Sequence, residues 1–210
     1  MKFKWPDPFP GAHWLDERED RAVLDVLHRR SLFRYYGIKK PKYAEALEKT
    51  AREFYGAKYA LGVNSGTGAL ITAMTALGIG PGCEVVVPAF FWAATAGAVV
   101  NTNAIPVLCE VDDSLCMDPQ DLERKITGRT KLIVPVHMAG APCDVKAIMA
   151  IANRRRIPVL EDCELEGRSP SGPPSVSRAA WFAERRWFQP VTWPQRPGSG
   201  RRHRPLGCCL

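Results

Sequence analysis

Three short segments carry residues whose types and spacing suit chemistry on a small anionic ligand. The first is Tyr59-Ala60-Leu61-Gly62-Val63-Asn64-Ser65-Gly66-Thr67-Gly68-Ala69-Leu70. An apolar run ends at Val63, a small polar turn follows, and a helix starts. Asn64 or Ser65 can cap that helix. Gly66 and Gly68 let a ligand approach the backbone, and the first-turn amides with the Thr67 hydroxyl suit a phosphate. No Lys follows the glycines, so this is not a P-loop. A purely structural strand-to-helix turn accounts for the segment equally well.

The second segment, Val85-Val86-Val87-Pro88-Ala89-Phe90-Phe91-Trp92-Ala93-Ala94-Thr95, places aromatic residues just after a strand. That is the edge where ligands bind in open α/β sheets. Trp92 could stack on a flat ring or pack in the core, whereas Phe90 and Phe91 read as core packing. The third, Ile157-Pro158-Val159-Leu160-Glu161-Asp162, ends a buried strand with two acids. A carboxylate there is costly unless it meets a cation or hydrogen-bond donors, and a protonated ring nitrogen is one such partner. A cap on a following helix is the other reading of Asp162.

The elements that must position these residues follow from two alternating periodicities. A helix over 16–30 begins with a capping box, Asp16 with Glu19, and carries a stripe of Leu15, Val23, Leu24, Val26 and Leu27. A second helix covers 42–55, with Gly56 as its stop. Apolar runs at 59–63, 84–87, 105–111, 131–136 and 157–160 read as strands, and 66–77, 92–100, 118–126 and 144–154 as the helices between them. This order implies βαβ units and a mostly parallel sheet covered on both faces.

Of the 210 residues, 46% are hydrophobic and 24% charged, which excludes a disordered chain. No run approaches the roughly 18 apolar residues of a membrane span, and the N-terminus lacks a signal peptide's apolar core. The net charge of +7 invites a nucleic-acid reading. Divided along the chain, it does not belong to the domain. Residues 1–166 hold 21 basic and 21 acidic side chains, whereas 167–210 hold 8 Arg, no Lys and a single acid, Glu184. The tail keeps neither period and is rich in Pro, Gly, Ser and Arg. A shifted reading frame, a disordered basic tail, and a nucleic-acid arm pairing Arg with Trp181, Trp187 and Trp193 are its three readings.

The order of Ser65–Leu70, Gly78-Ile79-Gly80-Pro81-Gly82-Cys83-Glu84-Val85, Pro88–Thr95, Pro135-Val136-His137-Met138-Ala139-Gly140 and Glu161-Asp162 resembles the DegT/DnrJ/EryC1/StrS aminotransferases, across about 9–163. These are pyridoxal-phosphate enzymes that aminate keto-sugars, often nucleotide-linked, or keto-cyclitols. The resemblance implies a partial aspartate-aminotransferase-like large domain over 1–166. It implies that Gly66 and Thr67 hold the pyridoxal 5'-phosphate phosphate, that Trp92 stacks on its ring, and that Asp162 pairs with the ring nitrogen. It further implies a glutamate or glutamine amino donor, a homodimer, a cytoplasmic location, and a substrate-side loop at Tyr35, Tyr36 and Lys39.

The pattern breaks after Asp162. The family continues with small residues and then Gln or His, where this chain reads Cys163-Glu164-Leu165-Glu166. The family's Schiff-base Lys follows, yet no Lys lies beyond Lys146. Lys131 and Lys146 belong to other matched segments. The expectation is therefore an aminotransferase relative, truncated before its catalytic Lys and inactive as written. A non-catalytic cofactor-binding fragment and a basic-tailed nucleic-acid binder are the alternatives. The cysteines (83, 109, 116, 143, 163, 208 and 209) show no metal-ligand spacing and read as reduced thiols. His137 reads as a structural residue near the site.

Overall fold

The computed structural model describes residues 15–30, 32, 43–55, 57–138 and 141–164, together with the backbone of 208–209. The expectations for Tyr35, Tyr36, Lys39, Gly56, Leu165 and most of the tail lie outside these residues. The chain divides into two units, 1–47 and 48–210.

In the first unit, α1 spans Glu17–Arg29. Asp16 caps it by accepting from the Arg18 amide, and the reciprocal Glu19 bond completes the capping box. Three of its four acids, Glu17, Glu19 and Asp20, lie in the first turn and His28 and Arg29 in the last, which complements the helix dipole. The apolar stripe exists, with Val26 half-buried and the rest exposed. Leu15, Val23, Leu24 and Leu27 are all exposed, and no α1 residue is buried. α2, Tyr43–Tyr55, begins in this unit and continues into the second. The Tyr43 hydroxyl donates to Asp25.

The second unit holds the sheet. Its elements are β1 (Ala60–Leu61), α3 (Gly66–Ala76), β2 (Glu84–Pro88), α4 (Ala94–Asn101), β3 (Ile105–Cys109), α5 (Pro119–Lys125), β4 (Thr130–Ile133), α6 (Val145–Arg155) and β5 (Cys208–Cys209). β2 lies between β3 and β4, and both pairings are parallel. β1 pairs in parallel with β5.

Period-2 geometry divides β2 between two cores. Val85 and Val87 face one way, packing with Leu70 and Met74 of α3 and Ala98 and Val99 of α4. Val86 faces the other way, among Cys109, Leu122 of α5, Ile133, and Ile148 and Ile151 of α6. All three valines are fully buried, as a central parallel strand covered on both faces requires.

The expected strand at 157–160 forms isolated parallel bridges instead, Val159 to Ile133 and Asp162 to Val136. Amides and carbonyls still alternate between the two segments: Ile133 to Pro158, Leu160 to Ile133, Asp162 to Pro135 and His137 to Asp162. Pro135 and Pro158 have no N–H to give, which interrupts a continuous ladder. The segment nevertheless reaches the position the strand reading required.

Candidate functional site

The carboxyl ends of the parallel segments converge on one cluster. β1 is anchored near its end by Glu48 of α2, a buried acid whose Oε1 accepts from the Gly62 amide at 2.7 Å. The chain then turns through Asn64 and Ser65 into α3. Ser65 is the N-cap, and its Oγ accepts from the Gly68 amide at 3.0 Å. The amides of Gly66 and Thr67 belong to the first turn, whose N–H groups have no carbonyl within the helix. Gly66 is exposed and Thr67 half-buried, so this amide face is open to a ligand.

Gly68 also serves the helix cap. A Cβ on it would stand 2.8 Å from Asn64 Oδ1 and 3.1 Å from Ser65 Oγ. Its missing side chain makes room for the cap.

After β2 the chain passes through Phe90, Phe91 and Trp92 into α4. Trp92 is 75% exposed, so its ring is available to a ligand, and its carbonyl accepts from the Thr95 amide. Phe91 packs on the core with Leu70 and Val87. Phe90 corrects the expectation, because it is exposed. It lies in the turn beyond the last buried position of β2, past the reach of the hydrophobic layer.

Asp162 is 8% exposed and meets donors, as a buried carboxylate must. The Thr95 hydroxyl donates to its Oδ2 at 2.8 Å, and the Glu164 amide to its Oδ1 at 3.3 Å. A carboxylate offers about four acceptor sites, so capacity remains for a cationic N–H. Sequence reasoning missed the role of Thr95. Only its position in the first turn of the helix after the aromatic run hinted at it.

Glu164 closes the circuit. A Cβ on Gly66 would lie 3.2 Å from its Oε2 and 3.6 Å from its Oε1, so its carboxylate stands against the start of α3. The Glu164 carboxylate therefore lies beside the glycine turn. Trp92, Thr95, Asp162, Glu164 and Gly66 are thus linked by successive contacts.

Beneath Asp162 lies a second cluster that the spacing of His and Cys did not disclose. Ligand-type atoms of His137, Glu161 and Cys163 lie within 4.8 Å of one another. The hydrogen-bond pattern argues against a metal here. The Cys143 amide donates to His137 Nδ1 at 3.1 Å, so Nδ1 carries no proton. Neutral imidazole then has its proton on Nε2, which faces Glu161 Oε2 at 3.1 Å. A metal on Nε2 would need that proton moved to Nδ1, where an amide already points. His137, 1% exposed, acts as a strut beneath the Glu161-Asp162 pair, as expected. Glu161 Oε1 is buried with no hydrogen-bond partner among the described residues.

A parallel α/β arrangement with an exposed helix start, an exposed indole and a buried acid at its carboxyl edge has the form of a ligand-binding α/β domain. Comparison with known proteins names the family. Residues 15–164 match the DegT/DnrJ/EryC1/StrS aminotransferase family. An L-glutamine:2-deoxy-scyllo-inosose aminotransferase of Micromonospora echinospora is 40% identical over 162 residues, 76% of this chain and 37% of the relative. A UDP-4-amino-4-deoxy-L-arabinose–oxoglutarate aminotransferase of Shewanella sediminis is 41% identical over 160 residues, 73% of this chain and 40% of the relative. The solved structure of NtdA from Bacillus subtilis, with bound cofactor PMP, superposes with a TM-score of 0.63 at 29% identity, covering 78% of this chain and 37% of that one. The chain belongs to the DegT/DnrJ/EryC1/StrS aminotransferase family. It spans about two fifths of the length of the curated relatives it matches. No described helix is long and apolar enough to cross a membrane.

Proposed function

We propose that this chain carries the phosphate and ring-nitrogen side of a pyridoxal-phosphate aminotransferase site, from a lineage acting on keto-sugars or keto-cyclitols. The observation that carries the reading is the Thr95–Asp162 bond, which holds a buried acid at the same edge as the Gly66–Thr67 turn. The Gly66 and Thr67 amides bind the phosphate, aided by the positive end of α3. Trp92 would lie against the ring and shed water from it. Asp162, fixed by Thr95, accepts from the ring N–H and keeps that nitrogen protonated. When bound, pyridoxal phosphate supplies the electron sink and carries the amino group between donor and ketone. The relatives support glutamine or glutamate as donor, and a homodimer completes the site in this reading.

Proton transfer is where this polypeptide stops. It has no lysine after Lys146. Lys131 is exposed in β4, where its Nζ donates to the Gly128 carbonyl before the strand, and Lys146 is exposed in the first turn of α6. Neither substitutes for a lysine following Asp162. We read 1–166 as part of the large domain and 167–210 as a nonhomologous extension, and the 210-residue polypeptide as binding cofactor without turnover. Soluble protein incubated with pyridoxal phosphate tests this. The expected result is cofactor absorbance lost on dialysis, with no amino transfer from glutamine or glutamate. A stoichiometric band that survives dialysis and is fixed by borohydride overturns it.

A further inference from the structure

The Glu164 carboxylate stands beside the turn to which the proposed function assigns the cofactor phosphate. Both of its oxygens lie within 3.6 Å of a Cβ built on Gly66, at the exposed start of α3. A carboxylate beside this helix start feels the same helix dipole that would attract a phosphate. The contact is held from below, because the Glu164 amide donates to Asp162 Oδ1. Asp162 thereby links the two ends of the proposed site, its side chain reserved for the ring nitrogen while its neighbour two residues on reaches the phosphate turn.

We propose that Glu164 is an internal anion at the Gly66–Thr67 turn that competes with the phosphate of a pyridoxal-type ligand. The inference rests on the cofactor reading above. Two anions cannot share one helix start without mutual repulsion, so phosphate binding must first displace Glu164. The side chain is exposed, and displacement needs only rotation into solvent. The contact therefore lowers affinity and does not block the site. Since the competition is electrostatic, it acts on phosphorylated ligands and spares their unphosphorylated counterparts.

The test compares the full chain with Glu164→Gln and Glu164→Ala, and with Glu123→Gln as a control for net charge. Glu123 is exposed and pairs with Arg154 and Arg155. Pyridoxamine 5'-phosphate is the probe, because it has no aldehyde to react with stray lysines, and pyridoxamine is its unphosphorylated counterpart. Both are followed by fluorescence titration, with circular dichroism to check folding. The expected result is about 3- to 10-fold tighter binding of the phosphorylated probe by both Glu164 variants, on the scale of one charge at a helix start. Pyridoxamine binding and the Glu123→Gln protein should not change. Phosphorylated-probe binding that saturates with the same affinity in all four proteins overturns the inference and leaves the cofactor reading standing. Equal tightening for pyridoxamine overturns the electrostatic competition. No saturable binding by any of the four overturns the cofactor reading and the inference together.

Discussion

The Thr95 hydroxyl donates to Asp162 Oδ2 at 2.8 Å, joining residues 67 positions apart. It ties the first turn of α4 to the segment that runs beside β4, and both groups are buried. Removing the hydroxyl leaves a buried carboxylate oxygen short of a donor, at a cost of about 1–3 kcal/mol. Thr95→Val should lower stability by that amount in urea titrations, whereas Thr95→Ser should recover most of it. Thr95→Val should also weaken pyridoxamine 5'-phosphate binding, since Asp162 loses its fixed orientation. Unchanged stability and binding in Thr95→Val would remove the bond from the account.

Ser65→Ala removes the cap on Gly68 and should cost about 1 kcal/mol. Gly68→Ala ordinarily stabilises an exposed helix by about 1 kcal/mol. Here the new methyl crowds Ser65 Oγ and displaces Asn64, so the gain should not appear. Thermal unfolding of the two variants decides it, and a clear rise in Tm for Gly68→Ala would refute the crowding.

Asp121 gives the second unit a pH dependence. It is buried, accepts from the Glu110 amide at 2.8 Å, and is paired with Arg124 and Lys125. The Glu110 amide first, and the two cations after it, hold its carboxyl below the ordinary range, against the opposing effect of burial. A depressed folded-state pKa contributes stability above the unfolded value and loses it as pH falls through the folded one. The contribution is therefore present at neutral pH and fades below about pH 4. Asp121→Asn should be less stable than the parent by about 1–2 kcal/mol at pH 7, with the gap narrowing toward pH 3. Urea titrations at the two pH values measure it, and a constant gap would contradict it.

Thiol chemistry should be uneven. Burial pushes the Cys109 thiol up to about 12, with the nearby Asp121 charge adding to the effect. Burial also raises Cys143, with Cys116 beside it. Cys83 is only partly buried. Because the thiolate is the reactive form, iodoacetamide at pH 8 should modify Cys83 well before Cys109 or Cys143 in the folded chain. Peptide mapping over time reads the order, and early labelling of Cys109 would count against the fold.

Local chemistry was legible before any coordinates. Asp16 with Glu19, Ser65 before its glycines, and the strand at Glu84–Pro88 are short-range patterns, and they occur where expected. Phe90 failed because hydrophobicity says nothing of where a strand's buried layer ends. The strand at 157–160 failed in form because Pro135 and Pro158 withhold donors from a ladder whose partner cannot be read locally. The α1 stripe was read correctly as a pattern, yet its leucines are exposed in this chain.

The sequence by itself determined most of the elements, the family and the candidate residues Gly66, Thr67, Trp92 and Asp162, since each follows from neighbours a few positions away. Tertiary structure decided which of these meet. Parallel strands bring their carboxyl ends to one edge through long crossovers, so partners such as Thr95 and Asp162, or Gly66 and Glu164, are distant in sequence. The proton on His137 was settled the same way, by a backbone amide from Cys143 that no spacing rule identifies. Pairings of this kind depend on register and crossover path, which are properties of the assembled sheet.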